Sequence, residues 1–591
     1  MLRANVSWSV PEPSDAPTLV DAVLESRGLT LKDLDQDPPD PFLLPDMEVA
    51  TDVILDAITK NQSIYVFGDY DVDGMTAGAG LVRGLRRFGA NAELYIPNRS
   101  EGFGLSIDVI EKIAAKGANL VITVDNGSDR ADVVKRAHEL GMRVIITDHH
   151  LINLRKMPKA EAVVNPGRSD SKYPFGGLCG SGIAYFVLEA LSSKVLQRST
   201  EAGSPTKIDV SDLVPLPALG TMADVVDILG PNRWLVRKGL QGISRIPGLK
   251  ALLDLRGLRN PSARDVTFLI IPMLNAPGRL DSPEPSVELL LTDDPLRAQE
   301  LANELQIANV TRQEIGARML SLARKQVDDP RKFPDTLSSI FFWTQDNFKH
   351  GLVGILAGDL AETYGRPSFV GAAESGSPII KGSARSGVFD MDGNVISVKE
   401  IMDRAAEIYE ERYASMFPEY PTLFSTYGGH PAAAGFSIPV KLATVLRDCL
   451  DRAAQPLMEN VPMGRLMRAD VTWKLPTRDE LESLSTLEPT GHGFEAPVLY
   501  VPNVEVSDVR YVPVPNQTFK ARTIILRQGD RTMEAVCFKK GQRFEKGQRF
   551  DLLCAPHREG LQIQELKELM VDPPEKTPSV EDYDLDAILM G

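Results

Sequence analysis

The residues best suited to chemistry are carboxylates and imidazoles crowded into three short segments of a 591-residue chain. VFGDYDVDGMTAG (66–78) sets Asp69, Asp71 and Asp73 at alternate positions and then Gly74. TVDNGSD brings Asp125, and ITDHH brings Asp148, His149 and His150. So many acids cannot share one small site uncompensated, because like charges a few ångströms apart repel. Divalent cations are the natural compensation, and a carboxylate set with some imidazole suits Mn²⁺ or Mg²⁺ better than a thiolate-loving ion. Two such ions roughly 3.5–4 Å apart activate water and clamp a phosphoryl oxygen, which points to phosphoester hydrolysis. An EF-hand loop is the bland alternative. Asp69 to Gly74 match its first six positions, but the twelfth, residue 80, is Gly rather than Glu. Helix capping could account for one acid, Asp73 or Asp129, and not for the whole set.

These segments need a frame that brings them together. SIYVFGD (63–69), AELYI (92–96), LVITVD (120–125), RVIITD (143–148) and AVVN (162–165) read as buried strands, with helices predicted at 75–88, 106–117 and 130–140. That rhythm predicts a doubly wound parallel α/β sheet, in which the acids lie at the carboxyl ends of separate strands. Residues 284–330 keep helical periodicity and are expected to form one connecting helix. A second α/β pattern follows at 331–460. Residues 461–575 turn to short alternating strands, as in an OB-like β-barrel. The first fifty residues are read as an acidic extension draped on the next domain, and 576–591 as an acidic flexible tail. The α/β unit between them is expected to span 51–283.

Composition excludes little. Hydrophobic residues at 43% and charged residues at 25% are ordinary for a globular protein and rule out collagen or wholesale disorder. Four scattered cysteines form no CxxC pair, so a reduced, cytoplasmic protein is expected. No apolar run approaches the roughly 20 residues of a membrane span, and no secretory signal is seen. The net charge of −16 speaks at first against a nucleic-acid partner. Its distribution removes the objection: residues 1–50 hold ten acidic against three basic residues, and 571–591 hold six against one.

DYDVDG, VDNG, DHH and ALGTMADVV, in this order, resemble the phosphoesterase motifs of the DHH superfamily, and the chain is most similar to its RecJ-type single-strand exonucleases. IPNRSEGFGLS (96–106), LNAPGRLDSP (274–283), KHGLVGILAGDLAETYGRPSFV (349–370), KGSARSG (381–387) and YGGHPAAAGFSI (427–438) extend the likeness over about 60–575. The resemblance implies a DHH domain, a connecting helix, a DHHA1 domain and an OB domain. It implies metal ligation by Asp69, Asp71, Asp73, Asp125, His149 and Asp224, with Asp73, His149, His150 and His430 catalytic and Asp148 orienting an imidazole from behind. Arg99, Arg279, Ser383, Arg385 and His350 match positions that hold the DNA backbone or its 5′ end. A bland reading pairs Arg279 with Asp281 and Arg385 with Asp390, which would be worth little.

The resemblance further implies a Mn²⁺- or Mg²⁺-dependent 5′→3′ exonuclease that releases 5′-mononucleotides from single-stranded DNA in repair and recombination. It would be a monomer working beside a helicase and a single-strand-binding protein. Between 520 and 549 nine basic residues face three acidic ones, interleaved with Phe519, Phe538 and Phe544. Lys520, Arg522, Arg527, Lys539 and Lys540 are therefore expected to track a strand, although core phenylalanines would explain the aromatics equally well. There are departures from the family pattern: Phe67 stands where His is common, Asp227 where Pro is usual, and 487–497 is a loose version of the junction. They imply a divergent, phage- or plasmid-borne member. Two other readings stay open. One is a DHH phosphodiesterase for short RNA or cyclic dinucleotides, which usually lacks an OB module. The other is a non-catalytic replication scaffold, which usually loses metal ligands.

Overall fold

The computed structural model describes residues 5–98, 101, 104–345, 348–374, 376–390, 394–459, 461, 464–513, 520–537, 543–557 and 560–569. It divides into two compact units, one made chiefly of 32–466 with 489–495, the other of 8–31, 467–488 and 496–591.

The first unit opens with a five-stranded parallel sheet, ordered Asn91–Tyr95, Ser63–Gly68, Leu120–Val124, Arg143–Thr147, Ala162–Val164. Side-chain alternation divides each strand between two cores. Ile64, Val66, Leu120, Ile122 and Ile145 pack on one face, Tyr65, Phe67, Val121, Val144 and Ile146 on the other. Phe67 is therefore a core residue stacked on Tyr95. Sequence order reverses at Ser63–Gly68, whose neighbours on either side are Asn91–Tyr95 and Leu120–Val124, so the crevice there is where an α/β sheet builds its site. Each strand stops one residue short of the sequence reading. Gly68 pairs with Val124 and Val124 with Thr147, so Asp69, Asp125 and Asp148 leave the ladder side by side.

The stretch expected as one connecting helix is two, Glu284–Leu291 and Pro295–Val327. The break follows from local chemistry: Asp294 caps the second helix, its carboxylate accepting from the Leu296 amide at 2.9 Å, and Pro295 fills the first helical position. The second sheet of this unit runs Thr426–Gly429, Ala433–Pro439, Ile379–Arg385, Ser368–Ala372, Ile340–Thr344, antiparallel except for its last pair.

In the second unit, Leu499–Pro513, Lys520–Gln528, Arg531–Cys537, Gly560–Leu569 and Arg549–His557 pair in that order, and the last returns to Leu499–Pro513, closing a five-stranded barrel. Residues 8–31 join this unit instead of lying on the following domain. Arg27 donates to Asp470 at 2.8 Å, Thr472 donates to the Pro11 carbonyl, and Trp8 meets Tyr500 edge-on. The physical reason is buried apolar area: Leu19, Val20, Val23 and Leu24 form the inner face of an amphipathic helix, Leu19–Ser26, which needs a surface to cover.

Candidate metal centre and anion pocket

The DYDVDG turn is built around backbone proximity. Asp71, and not Asp73, caps the helix Val72–Arg87, its Oδ1 accepting from the Gly74 amide at 3.0 Å. A Cβ on Gly74 would stand 2.5 Å from the Asp69 backbone, so only glycine lets the helix start over that buried acid.

Asp73 points away from its own helix into the start of another. Its two oxygens accept from the Gly180 and Ser181 amides at 2.7 and 3.0 Å, satisfying orphan donors at the start of the helix Gly180–Glu201. That contact needs small neighbours. A Cβ on Gly220 would fall 2.3 Å from Asp73 Oδ1, and one on Gly180 would fall 2.5 Å from Asp125 Cβ. Gly180 and Gly220 have no side chain and Ser181 meets Asp73 through its amide, not its hydroxyl, so all three were missed in the sequence; the only signal available was small residues beside motif residues.

Asp125 is buried with φ of 61°, and Val225, directly after Asp224, has φ of 59°. A β-branched residue in the left-handed region is strained, and here the strain turns the Asp224 side of the loop towards the acids. His149 Nε2 lies 3.0 Å from Asp125 Oδ1 and 3.6 Å from Asp224 Oδ2. Two groups of potential ligand atoms, each within 4.8 Å, result: Asp125 with His149 and His150, and Asp73 with His149 and Asp224. They share His149. Asp69 and Asp71 belong to neither group, although Asp71 acts electrostatically on Asp125 and Asp224.

Asp148 does different work. One oxygen accepts from the His149 and His150 amides at 2.8 and 3.1 Å and meets His150 Nδ1 at 2.8 Å, while the other accepts from the Ser128 amide at 2.9 Å. This fixes which His150 nitrogen faces the site. Burial raises the Asp148 pKa, but the His150 imidazole and the Ser128 contacts outweigh it and bring it to about 2. The same bond lifts His150 to about 9. Asp224 moves the other way, pushed up to about 8 by burial and then by Asp73 and Asp71. Asp125 rises for the same reasons, burial first, and burial lowers His149. Without a cation the cage holds its charge down by keeping protons. Oxygen donors with imidazole, crowded beyond what water alone would tolerate, fit Mn²⁺ or Mg²⁺.

The residues expected to hold phosphate gather at the start of the helix His350–Tyr364. Arg279 donates to the Gly351 carbonyl at 3.0 Å, and a Cβ on Gly351 would meet the Arg279 backbone oxygen at 2.3 Å. One turn on, Gly354 leaves room for Arg385 and Ser383, at 3.1 and 3.2 Å from an ideal Cβ. Arg385 donates to Ser383 Oγ and to the Ala384 carbonyl, both at 2.8 Å, and does not pair with Asp390. His350 Nδ1 is buried without a hydrogen-bond partner among the described residues, and burial lowers its pKa. Two guanidinium groups and a hydroxyl thus meet at one helix N-terminus, donor types that suit an anion. The cluster touches the metal loop through Gly278, whose absent Cβ would lie 3.5 Å from the Tyr70 carbonyl.

Other expected residues are not gathered in. His430 is exposed at the turn between Thr426–Gly429 and Ala433–Pro439, held by its amide to the Ala433 carbonyl at 2.8 Å, and belongs to neither ligand group. Arg99, Lys539 and Lys540, with Phe519 and Phe538, lie outside the described residues, as do the side chains of Lys520 and Arg522. Arg527 pairs with Glu505 at 2.7 Å, and Phe544 is buried in the barrel core against Phe550. The departure at Asp227 has a partner in the other departure. His492 Nε2 lies 3.7 Å from Asp227, and the Ile228 amide donates to the His492 carbonyl at 2.8 Å.

No helix among the described residues is long and apolar enough to cross a membrane. Three family models match the chain: the DHH family N-terminal domain over 63–216, the DHHA1 domain over 337–457 and the RecJ OB domain over 469–572. The single-stranded-DNA-specific exonuclease RecJ of Dickeya dadantii is 35% identical over 453 residues, 74% of this chain and 75% of the relative. RecJ of Escherichia coli is 34% identical over 451 residues, 74% of each chain. The solved structure of Thermus thermophilus RecJ with Mn²⁺ matches with a TM-score of 0.74 at 25% identity, covering 96% of this chain and 80% of that one. A second exonuclease RecJ structure, bound to manganese, matches with a TM-score of 0.55 at 31% identity, covering 70% of this chain and 97% of that one. With the candidate ligand groups in place, all three domains present in order and relatives this similar, the chain belongs to the RecJ family.

Proposed function

We propose that the protein is a metal-dependent exonuclease that degrades single-stranded DNA from its 5′ end to 5′-mononucleotides, in DNA repair and recombination. The observation that carries this reading is the pair of overlapping ligand groups sharing His149, inside a cage of acids that resists losing its protons. Mn²⁺ or Mg²⁺ held there supplies Lewis acidity to a phosphoryl oxygen and lowers the pKa of water.

The ligands in this reading are Asp69, Asp71, Asp73, Asp125, His149 and Asp224, with Asp148 fixing the imidazole of His150. His150, pinned by Asp148, presents its other ring nitrogen to the site and to a phosphate oxygen there; His430 approaches the same phosphate. Arg279, Ser383, Arg385 and His350 hold a terminal phosphate, as does Arg99, and this end-binding sets the polarity. Lys520, Arg522, Arg527, Lys539 and Lys540 of the barrel neutralise backbone phosphates of the strand. The working division is 51–283 for the DHH domain, 284–330 for the connector, 331–460 for DHHA1 and 461–575 for the OB domain. We place the enzyme in the cytoplasm as a monomer, with a helicase to unwind its substrate and a single-strand-binding protein to keep it open.

The test uses the full chain with 5′- and 3′-labelled strands, in Mn²⁺ or in EDTA. The 5′ label should appear at once as mononucleotide while the 3′-labelled strand shortens gradually, and both should cease in EDTA and in Asp73→Ala. Hydrolysis that survives EDTA, or cleavage of cyclic dinucleotides with none of any strand, overturns the reading.

A further inference from the structure

The segment leading into Arg279 is one continuous helical run: Ala263–Asp265, one π-turn over Val266–Ile270, then Ile271–Leu280. Its most exposed residues lie on one face, with Asp265, Thr267 and Leu269 half-buried beside them. Arg264 and Phe268 are exposed, Phe268 at 64%, and from Ile270 to Gly278 only Pro272 and Asn275 escape burial before Arg279. Spacings of four, four, three and four residues put all five on one helix face. The Arg264 guanidinium sits 5.3 Å from the Phe268 ring centroid. One exposed phenylalanine would need no explanation. What distinguishes this one is its place at the far end of a stripe that finishes at Arg279 and beside the metal loop at Tyr70. At 1.5 Å rise per residue, Phe268 stands about 16 Å from Arg279, more than the reach of a terminal nucleotide. A π-turn inside an otherwise regular helix is itself common at functional sites.

We propose that the stripe from Arg264 to Arg279 is a track for single-stranded nucleic acid, in which Phe268 stacks on an inner base and Arg264 lies against both the ring and the backbone phosphate. The occupant follows from the chemistry of the face: cations at both ends for phosphates and an open ring for a base. The inference rests on the exonuclease reading above, since it takes the strand to be held at Arg279.

The experiment measures anisotropy of a 5′-phosphorylated oligothymidine in EDTA, with the full chain and with Phe268→Ala and Phe268→Trp. Loss of one base stack should weaken Phe268→Ala roughly 5- to 150-fold, with tryptophan restoring affinity. A 5′-phosphorylated dinucleotide, too short to reach the ring, should bind all three forms alike. A single abasic site moved through the strand supplies a measurement that needs no variant. One position away from the end should weaken binding to the wild type and have no further effect on Phe268→Ala. Equal affinity of wild type and Phe268→Ala for the long strand, or a flat abasic scan on the wild type, overturns the proposal. Wild-type protein that binds the strand in EDTA yet leaves it intact in Mn²⁺ sinks the exonuclease reading instead, so the two failures are told apart.

Discussion

The metal cage and the barrel surface treat charge in opposite ways. In the cage Asp69, Asp73, Asp125 and Asp148 are almost fully buried. Asp148 is balanced by His150, whereas Asp125 faces His149, an imidazole whose pKa burial lowers. On the barrel, Arg527, Arg549 and Arg531 are matched by Glu505, Glu505 and Glu480 at 2.7, 3.3 and 2.7 Å. An exposed pair like Arg527–Glu505 has reached its own neutrality and is worth little. A buried excess of one sign has not, and it demands a ligand. The strongest indication of function therefore lies where charge is left uncompensated, not where it is most abundant.

Asp73→Ala should break the contrast most severely. It removes an acid common to one ligand group and to the start of the helix Gly180–Glu201. Activity should fall on the order of 10³-fold, since the metal contributes several kcal/mol of charge stabilisation, with Mn²⁺ titration calorimetry reporting lost binding. Next, Arg385→Ala should erase most of the preference for a 5′-phosphate over a 5′-hydroxyl end. A charged hydrogen bond worth about 1.5–3 kcal/mol corresponds to roughly 10- to 150-fold in kcat/KM. Asp148→Asn leaves every expected ligand in place and weakens what pins His150 and, through the amide bonds to His149 and Ser128, the loop that carries the ligand His149. Mn²⁺ affinity should drop about 10- to 100-fold while strand binding in EDTA stays unchanged.

Proton competition gives a pH test. With Asp224 held at about 8 and Asp125 also raised, the folded apoprotein binds protons that the unfolded chain has released. Stability of the metal-free form should decline as pH rises from about 4 to 8, and Mn²⁺ affinity should rise over its upper part by up to about tenfold per unit. The difference in melting temperature between Mn²⁺ and EDTA samples should widen with pH. A difference that narrows would contradict the raised carboxyls. The smallest effect belongs to the barrel: Arg527→Ala should change strand affinity by less than about fivefold, because its charge is already shared with Glu505.

Much of this was readable in one dimension, for definable reasons. A parallel strand buried on both faces is a run of apolar residues, so Leu120–Val124 and Arg143–Thr147 announce themselves, and the acid ending each run is then at a sheet edge. Local rules also mark the Asp294–Pro295 break, although continuous periodicity on either side conceals it in a long window. The N-terminal segment illustrates the opposite case. Its amphipathic helix is evident, but nothing local says that it joins the barrel's unit, packing on residues 471–487, and not the neighbouring domain.

The sequence by itself determined the donor types, the strand rhythm and therefore the edge on which the acids meet, because period and polarity are local properties of a chain. Tertiary structure alone decided that Asp73 faces the Gly180 and Ser181 amides, that Gly220 must be small, and that a strained Val225 turns Asp224 inward. It also decided that Arg279 and Arg385, 106 positions apart in the chain, meet the same helix start at Gly351 and Gly354. Close approach between distant segments depends on packing, and packing has no signature at the residue that leaves room for it.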